Sequence, residues 1–148
     1  MPSLADFTAR GKVTTVNDDS VVFAPKDTNY ELHLLTKGRY DGPVNVPIDA
    51  RVRAVVRKLL TVPSGGAFVS PIFGPPRTVQ GRVRHAEDGA IIVQAGMPFV
   101  LELPSADHAI DLNNGAITVG LMVNAIVMPG ATLEWVEAGA AATASATR

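Results

Sequence analysis

A chain of 148 residues suits one ordinary domain or two small ones of about 60–70 residues each. With 47% apolar and 18% charged residues, against a usual charged share of about 25%, it is neither disordered nor strongly solvated. Its net charge of −1 excludes an overall field selecting nucleic acid or an anionic membrane, and the absence of cysteine excludes disulfides and thiolate chemistry.

In chain order, residues 1–10 read as a short arm that lacks the basic and apolar regions of a secretory leader. Gly11–Asn17 and Ser20–Ala24 are predicted strands around the turn residues Asn17, Asp18 and Asp19. Tyr30–Leu35 alternates, with Leu32 and Leu34 on one face and Glu31, His33 and Leu35 on the other. Thr36–Pro43 is a polar, Gly-containing loop. A long strand is expected over Val44–Val62, bent near Pro47 and Asp49, with Val52, Ala54 and Val56 on one side and Arg51, Arg53, Val55 and Arg57 on the other. Ala67–Ile72 is the expected closing strand of this first unit. Gly74, Pro75 and Pro76 mark a stiff junction, because proline fixes φ and donates no backbone hydrogen bond.

The order then repeats. Gly11–Pro25 (GKVTTVNDDSVVFAP) aligns without a gap on Gly81–Ala95 (GRVRHAEDGAIIVQA), and self-similarity of this kind signals a duplicated architecture. Further strands are predicted at Phe99–Leu103, Ala116–Val127 and Ala131–Val136, and residues 137–148 read as a disordered tail. The expectation is an all-β chain of two packed, five-stranded OB-like barrels, residues 11–73 and 81–136, joined by residues 74–80. Charge is uneven: residues 1–77 hold ten Lys/Arg and seven Asp/Glu (+3), and residues 78–148 hold three and seven (−4).

Chemistry-bearing motifs are sparse. His33, His85 and His108 have no metal-ligand spacing, and no Ser-, Lys- or Cys-based nucleophile motif occurs. The paired acids Asp18-Asp19 and Glu87-Asp88 are explained by hairpin turns. No enzyme, cofactor or metal is expected. Two features point to binding. Arg51, Arg53 and Arg57, with Lys58 at the end and Lys12 and Arg82 on the matched first strands, form a basic strand face suited to phosphate or carboxylate. No aromatic residue stands in that stripe, so single-stranded nucleic acid lacks a stacking platform there; Tyr30 and Tyr40 are the loose candidates. The second feature is the run GAITVGLMVNAIVMPG, apolar on both faces, whose Ile117, Val119, Leu121, Met122, Ile126 and Met128 suit an interface with a second copy or a protein partner.

The segments TARGKV, DARVRAVV and GLMVNAIV resemble strands of the paired Mop/TOBE-type molybdate-binding domains. That resemblance implies a tandem of OB-like units and a small-oxyanion ligand. The Ser-containing helical turn and the Lys/Ser run that the family uses for oxyanions are not legible, Ser105 being the nearest echo. The first expectation is therefore a cytoplasmic, non-enzymatic module acting through self-association or a protein partner. The alternative is an anion-binding module working through the basic face. No membrane partner is expected.

Overall fold

The computed structural model describes residues 7–63, 65–87, 89–103, 110–111 and 118–136. The chain is all-β, with no helix among the described residues. Twelve strands join in one mixed sheet: β1 (Ala9–Val16), β2 (Ser20–Pro25), β3 (Glu31–Leu35), β4 (Ile48–Thr61), β5 (Phe68–Ser70), β6 (Phe73–Gly74), β7 (Thr78–Glu87), β8 (Ala90–Gln94), β9 (Pro98–Glu102), β10 (Ile110–Asp111), β11 (Met122–Val127) and β12 (Thr132–Val136). No helix among these residues is long and apolar enough to cross a membrane.

The aligned stretches fold into two antiparallel meanders, β1-β2-β3 and β7-β8-β9. Both carry a one-residue bulge at the same aligned position, where the register slips between Val13 and Thr15 and between Val83 and His85. A bulge bends its strand and tightens the local twist, which curls each hairpin toward closure. The extra residues, Thr14 and Arg84, are among the positions at which the two stretches differ.

Closure comes from strands that cross between the halves. Leu35 at the end of β3 pairs in parallel with Thr132, and β12 then runs antiparallel along β4 from Thr132↔Arg53 to Val136↔Asp49. The start of β4 returns to β1 through Ala9↔Ala50 and Gly11↔Ile48. One circuit of pairing is thus β1-β2-β3-β12-β4. A second runs β7-β8-β9-β4-β11, with β9 parallel to β4 at Val100↔Arg53 and β11 antiparallel to both β4 and β7. β4 serves both circuits, its first half in one and its second half in the other, which accounts for its 14 residues. Ala67–Ile72 does not close the first unit as expected. Its strand β5 pairs with β7 instead, through Phe68↔Gln80 and Ser70↔Thr78.

Two strand boundaries also differ from expectation. Val44 and Val46 are exposed, at 41% and 46%, and β4 starts only at Ile48. Pro43 and Pro47 bracket this segment and Asn45 takes a φ of 63°, so the apolar alternation there lies in a loop. In the second half, residues 112–117 lie outside the described residues. Val119 and Gly120 form a turn with Gly120 at φ +96°, and the strand begins at Met122.

The core is continuous across both circuits. Phe23, Leu32 and Leu34 fill the first, Ile91, Phe99 and Leu101 the second, and β4 supplies Ile48, Ala50, Val52, Ala54, Val56 and Leu59 to the shared cluster. Tyr30 links the halves further: its hydroxyl donates to Ala95 O at 3.1 Å and accepts from the Val69 N–H at 3.2 Å.

Candidate functional site

β3 meets β12 through a single pair, Leu35↔Thr132, and the chain then turns away into the loop of residues 36–43. The gap that opens between this loop and β12 is a cleft of about 590 Å³. That size falls in the range of about 300–1,000 Å³ common for small-molecule sites.

The loop is tied down at several points. The Thr36 N–H donates to Asp19 O at 2.8 Å, and the Thr36 hydroxyl donates to Gly38 O at 2.7 Å. Arg39 Nη1 lies 3.2 Å from Asp18 Oδ1, and the Tyr40 hydroxyl donates to Pro43 O at 2.7 Å. Burial, and then the neighbouring Asp41 carboxylate, raise the Tyr40 pKa above its usual value, so the phenol stays a neutral donor.

Strand alternation sorts the remaining wall. On β4, Arg51 and Arg53 point away from the buried Val52 and reach the outer rim, where β12 places Glu134 beside Arg51. On β12, Leu133 and Trp135 share the opposite face, and Trp135 sits edge-on to Tyr40 with ring centroids 6.3 Å apart at 66°. Gly42 keeps the loop close to both rings: a Cβ there would lie 2.5 Å from the Tyr40 hydroxyl and 2.8 Å from Trp135 Cδ2. The cleft has a charged outer rim and an aromatic floor. Lys37, Arg39, Arg51 and Arg53 line it with Asp41 and Glu134, and Asp18 and Glu102, just outside the lining, pair with Arg39 and Arg53.

Two of these cations bridge strands contributed by different halves of the chain. Arg51 Nη1 lies 2.6 Å from Glu134 Oε1, and Arg53 Nη1 lies 3.2 Å from Glu102 Oε2. With both side chains 41% exposed, the Arg53–Glu102 pair contributes only about 0–1 kcal/mol.

The expected basic face is therefore divided. Arg51 and Arg53 line the cleft. Arg57 and Lys58 are exposed further along β4, where the register against β11 shifts, and do not line it. Lys12 lines a separate hollow with Pro25 and Pro47. Arg82 lines another, donating from Nη1 to Gly120 O at 2.9 Å. Lys37, Arg39, Tyr40 and Trp135 complete the cleft and were not expected in it, apart from Tyr40 as a loose aromatic candidate.

The residues expected at an interface also separate. Met122 is 5% exposed and buried within the chain itself, Leu121 and Ile126 are half-buried, and Val119 and Met128 are exposed. Ile117, Ser105 and His108 lie outside the described residues. β11 is a central strand, hydrogen-bonded to β4 and β7, with Asn124 Nδ2 donating to Gln80 Oε1 at 2.9 Å. His85 stacks on Phe7 at 5.6 Å and contacts Glu87 at 2.6 Å, while His33 is exposed on β3. Among the described residues no three His, Cys, Asp or Glu side chains gather as a metal site would require.

No protein-family model matches the chain, and no curated protein or solved structure matches it either.

Proposed function

We propose that the chain is a cytoplasmic binding module, built as two duplicated five-stranded OB-like barrels that share β4, with β12 closing the first. We propose further that it holds an anionic ligand in the cleft between the 36–43 loop and β12. The duplication is supported by the shared bulge position of the two meanders and by the two closed pairing circuits. Strand order is also where the chain resembles Mop/TOBE domains. The observation that carries the ligand reading is the convergence of Arg51 and Arg53 with Lys37 and Arg39 on one concave site. Its charged and aromatic lining, Glu134 being engaged with Arg51, is suited to holding a ligand rather than to transferring a group within it.

Calorimetric titration with inorganic phosphate and pyrophosphate at low salt tests this. Binding is expected to weaken as salt rises. Arg53→Gln should weaken it about tenfold, the scale of one charge-assisted hydrogen bond, with little effect on stability. Heats that are absent, or indifferent both to salt and to Arg53→Gln, would overturn the reading.

One observation favours self-association as a second function. Leu35, Val55 and Met128 are exposed at 44%, 46% and 41%, the Met128 N–H donates to Val55 O at 2.7 Å, and Leu35 Cδ1 is 3.8 Å from where a Gly130 Cβ would stand. A second copy is the partner to test. Light scattering should give a dimer mass that reverts to monomer in Met128→Glu, and a monomer at tens of micromolar in the unaltered chain excludes this reading.

A further inference from the structure

Building on the anionic-ligand reading, we infer that the cleft takes a nucleotide unit, its phosphate at the Arg51/Arg53 rim and its base against Trp135. An inorganic oxyanion would occupy only the rim of a site of about 590 Å³ and leave the aromatic floor to water. That floor is organised rather than incidental. Trp135 is half-buried, with its indole braced edge-on by Tyr40. Tyr40 is itself fixed by its bond to Pro43 O, and Gly42 admits both rings at close range. A ring fixed in this way loses little side-chain freedom on binding, which favours a planar ligand group.

The geometry also separates the two kinds of recognition. Alternation along β12 sets Glu134 and the arginine rim on one side of the strand and Trp135 on the other, so the ligand that satisfies both walls carries its charge at one end and its planar group at the other. A nucleoside phosphate has that form, whether free or as one unit of a single strand. The basic face lacks aromatics when read along β4 alone. The missing ring arrives from the far end of the chain, because β12 packs beside β4.

The test compares adenosine 5′-monophosphate, adenosine, inorganic phosphate and a short oligodeoxyadenylate by calorimetry, with fluorescence as a second readout. Trp135 is the sole tryptophan, so its emission reports on the cleft alone. The monophosphate should bind roughly 5- to 150-fold more tightly than phosphate, the gain expected of one base stacked on an aromatic ring. It should quench Trp135 as it does so. Trp135→Phe should retain most of that advantage, and Trp135→Leu should abolish it, the ratio of monophosphate to phosphate affinity being the readout. Tighter binding of the oligonucleotide than of the monophosphate would identify a single strand as the source, and equal affinity a free nucleotide.

Equal affinities for monophosphate and phosphate, unaltered by Trp135→Leu, would overturn this inference and leave the anion reading standing. Adenosine binding as tightly as its monophosphate would overturn it too, and no binding of any probe would remove both readings. Should Trp135→Leu fail to fold, the unaltered chain decides: saturation with monophosphate without quenching sinks the proposal.

Discussion

Ending the chain at Gly130 should unfold its first half and spare its second for longer, although the cut lies at the far end of the sequence. β12 is the strand that links β3 to β4, and its removal breaks the circuit β1-β2-β3-β12-β4 at two seams. It also strips cover from Ala50 and Val52 and removes the buried Leu133, which is 4% exposed. Burying one such leucine contributes about 1.5–3 kcal/mol, a large part of the roughly 5–15 kcal/mol that holds a domain together. The circuit β7-β8-β9-β4-β11 contains no part of β12. Hydrogen exchange should therefore show early loss of protection in β1, β2 and β3, with β7, β8 and β9 protected until later. Because the truncated chain presents new strand edges and is prone to associate, Leu133→Ala is the gentler companion. It should cost about 2–5 kcal/mol with the same spatial pattern. Protection lost first in β7–β9 would contradict the place of β12 in the first circuit.

Why the crossing of β12 to β3 and β4 was not legible follows from what a strand pattern encodes. Alternation of apolar and polar residues fixes which face of a strand is buried, and that reading held: Leu32 and Leu34 are buried between exposed Glu31, His33 and Leu35, and Val52, Ala54 and Val56 face the core. It does not name the neighbouring strand. Thr132–Val136 carries the same pattern whether it closes its own half or the other, and only the three-dimensional path decides. Local chemistry can also overrule the pattern. Val44, Val46 and Ile48 alternate correctly, yet the flanking prolines and the positive φ of Asn45 hold the first two in a loop. The site was legible to the same degree. Arg51 and Arg53 stand out as a spaced pair on one strand, but their carboxylate partners Glu134 and Glu102, and the rings of Tyr40 and Trp135, arrive from other strands and loops. A basic face on one strand can be read from sequence; the cleft around it depends on where β12 crosses.

Gly81→Ala should be among the most damaging single substitutions in this chain, and it bears on why Gly-basic-Val occurs twice. A Cβ at Gly81 would stand 2.0 Å from Gln94 O and 2.7 Å from the Gln94 carbonyl carbon. At Gly11 it would meet Ala24 O at 2.5 Å and Phe23 Cζ at 2.8 Å. The obstacles are mainly backbone, which cannot rotate aside as a side chain can, so the β7–β8 hairpin has to separate to admit a methyl group. Overpacking of this kind costs typically 1–3 kcal/mol, and the rigidity of the obstacle puts Gly81→Ala at about 3 kcal/mol. In a domain of this size that lowers the melting temperature by roughly 6–12 °C. Gly11→Ala should act in the same direction with a smaller shift. Gly66, with nothing within 4 Å of its Cβ position, is the control, and its alanine variant should change stability by no more than about 0.5 kcal/mol. Thermal melts of the three variants decide the matter, and a Gly81→Ala melt within a degree of the control would refute the argument. A motif kept for ligand contact would behave differently, losing affinity while its melt stayed put. Close passage of β1 over β2 and of β7 over β8 requires the glycine at both places, so the recurrence records how each hairpin is wound.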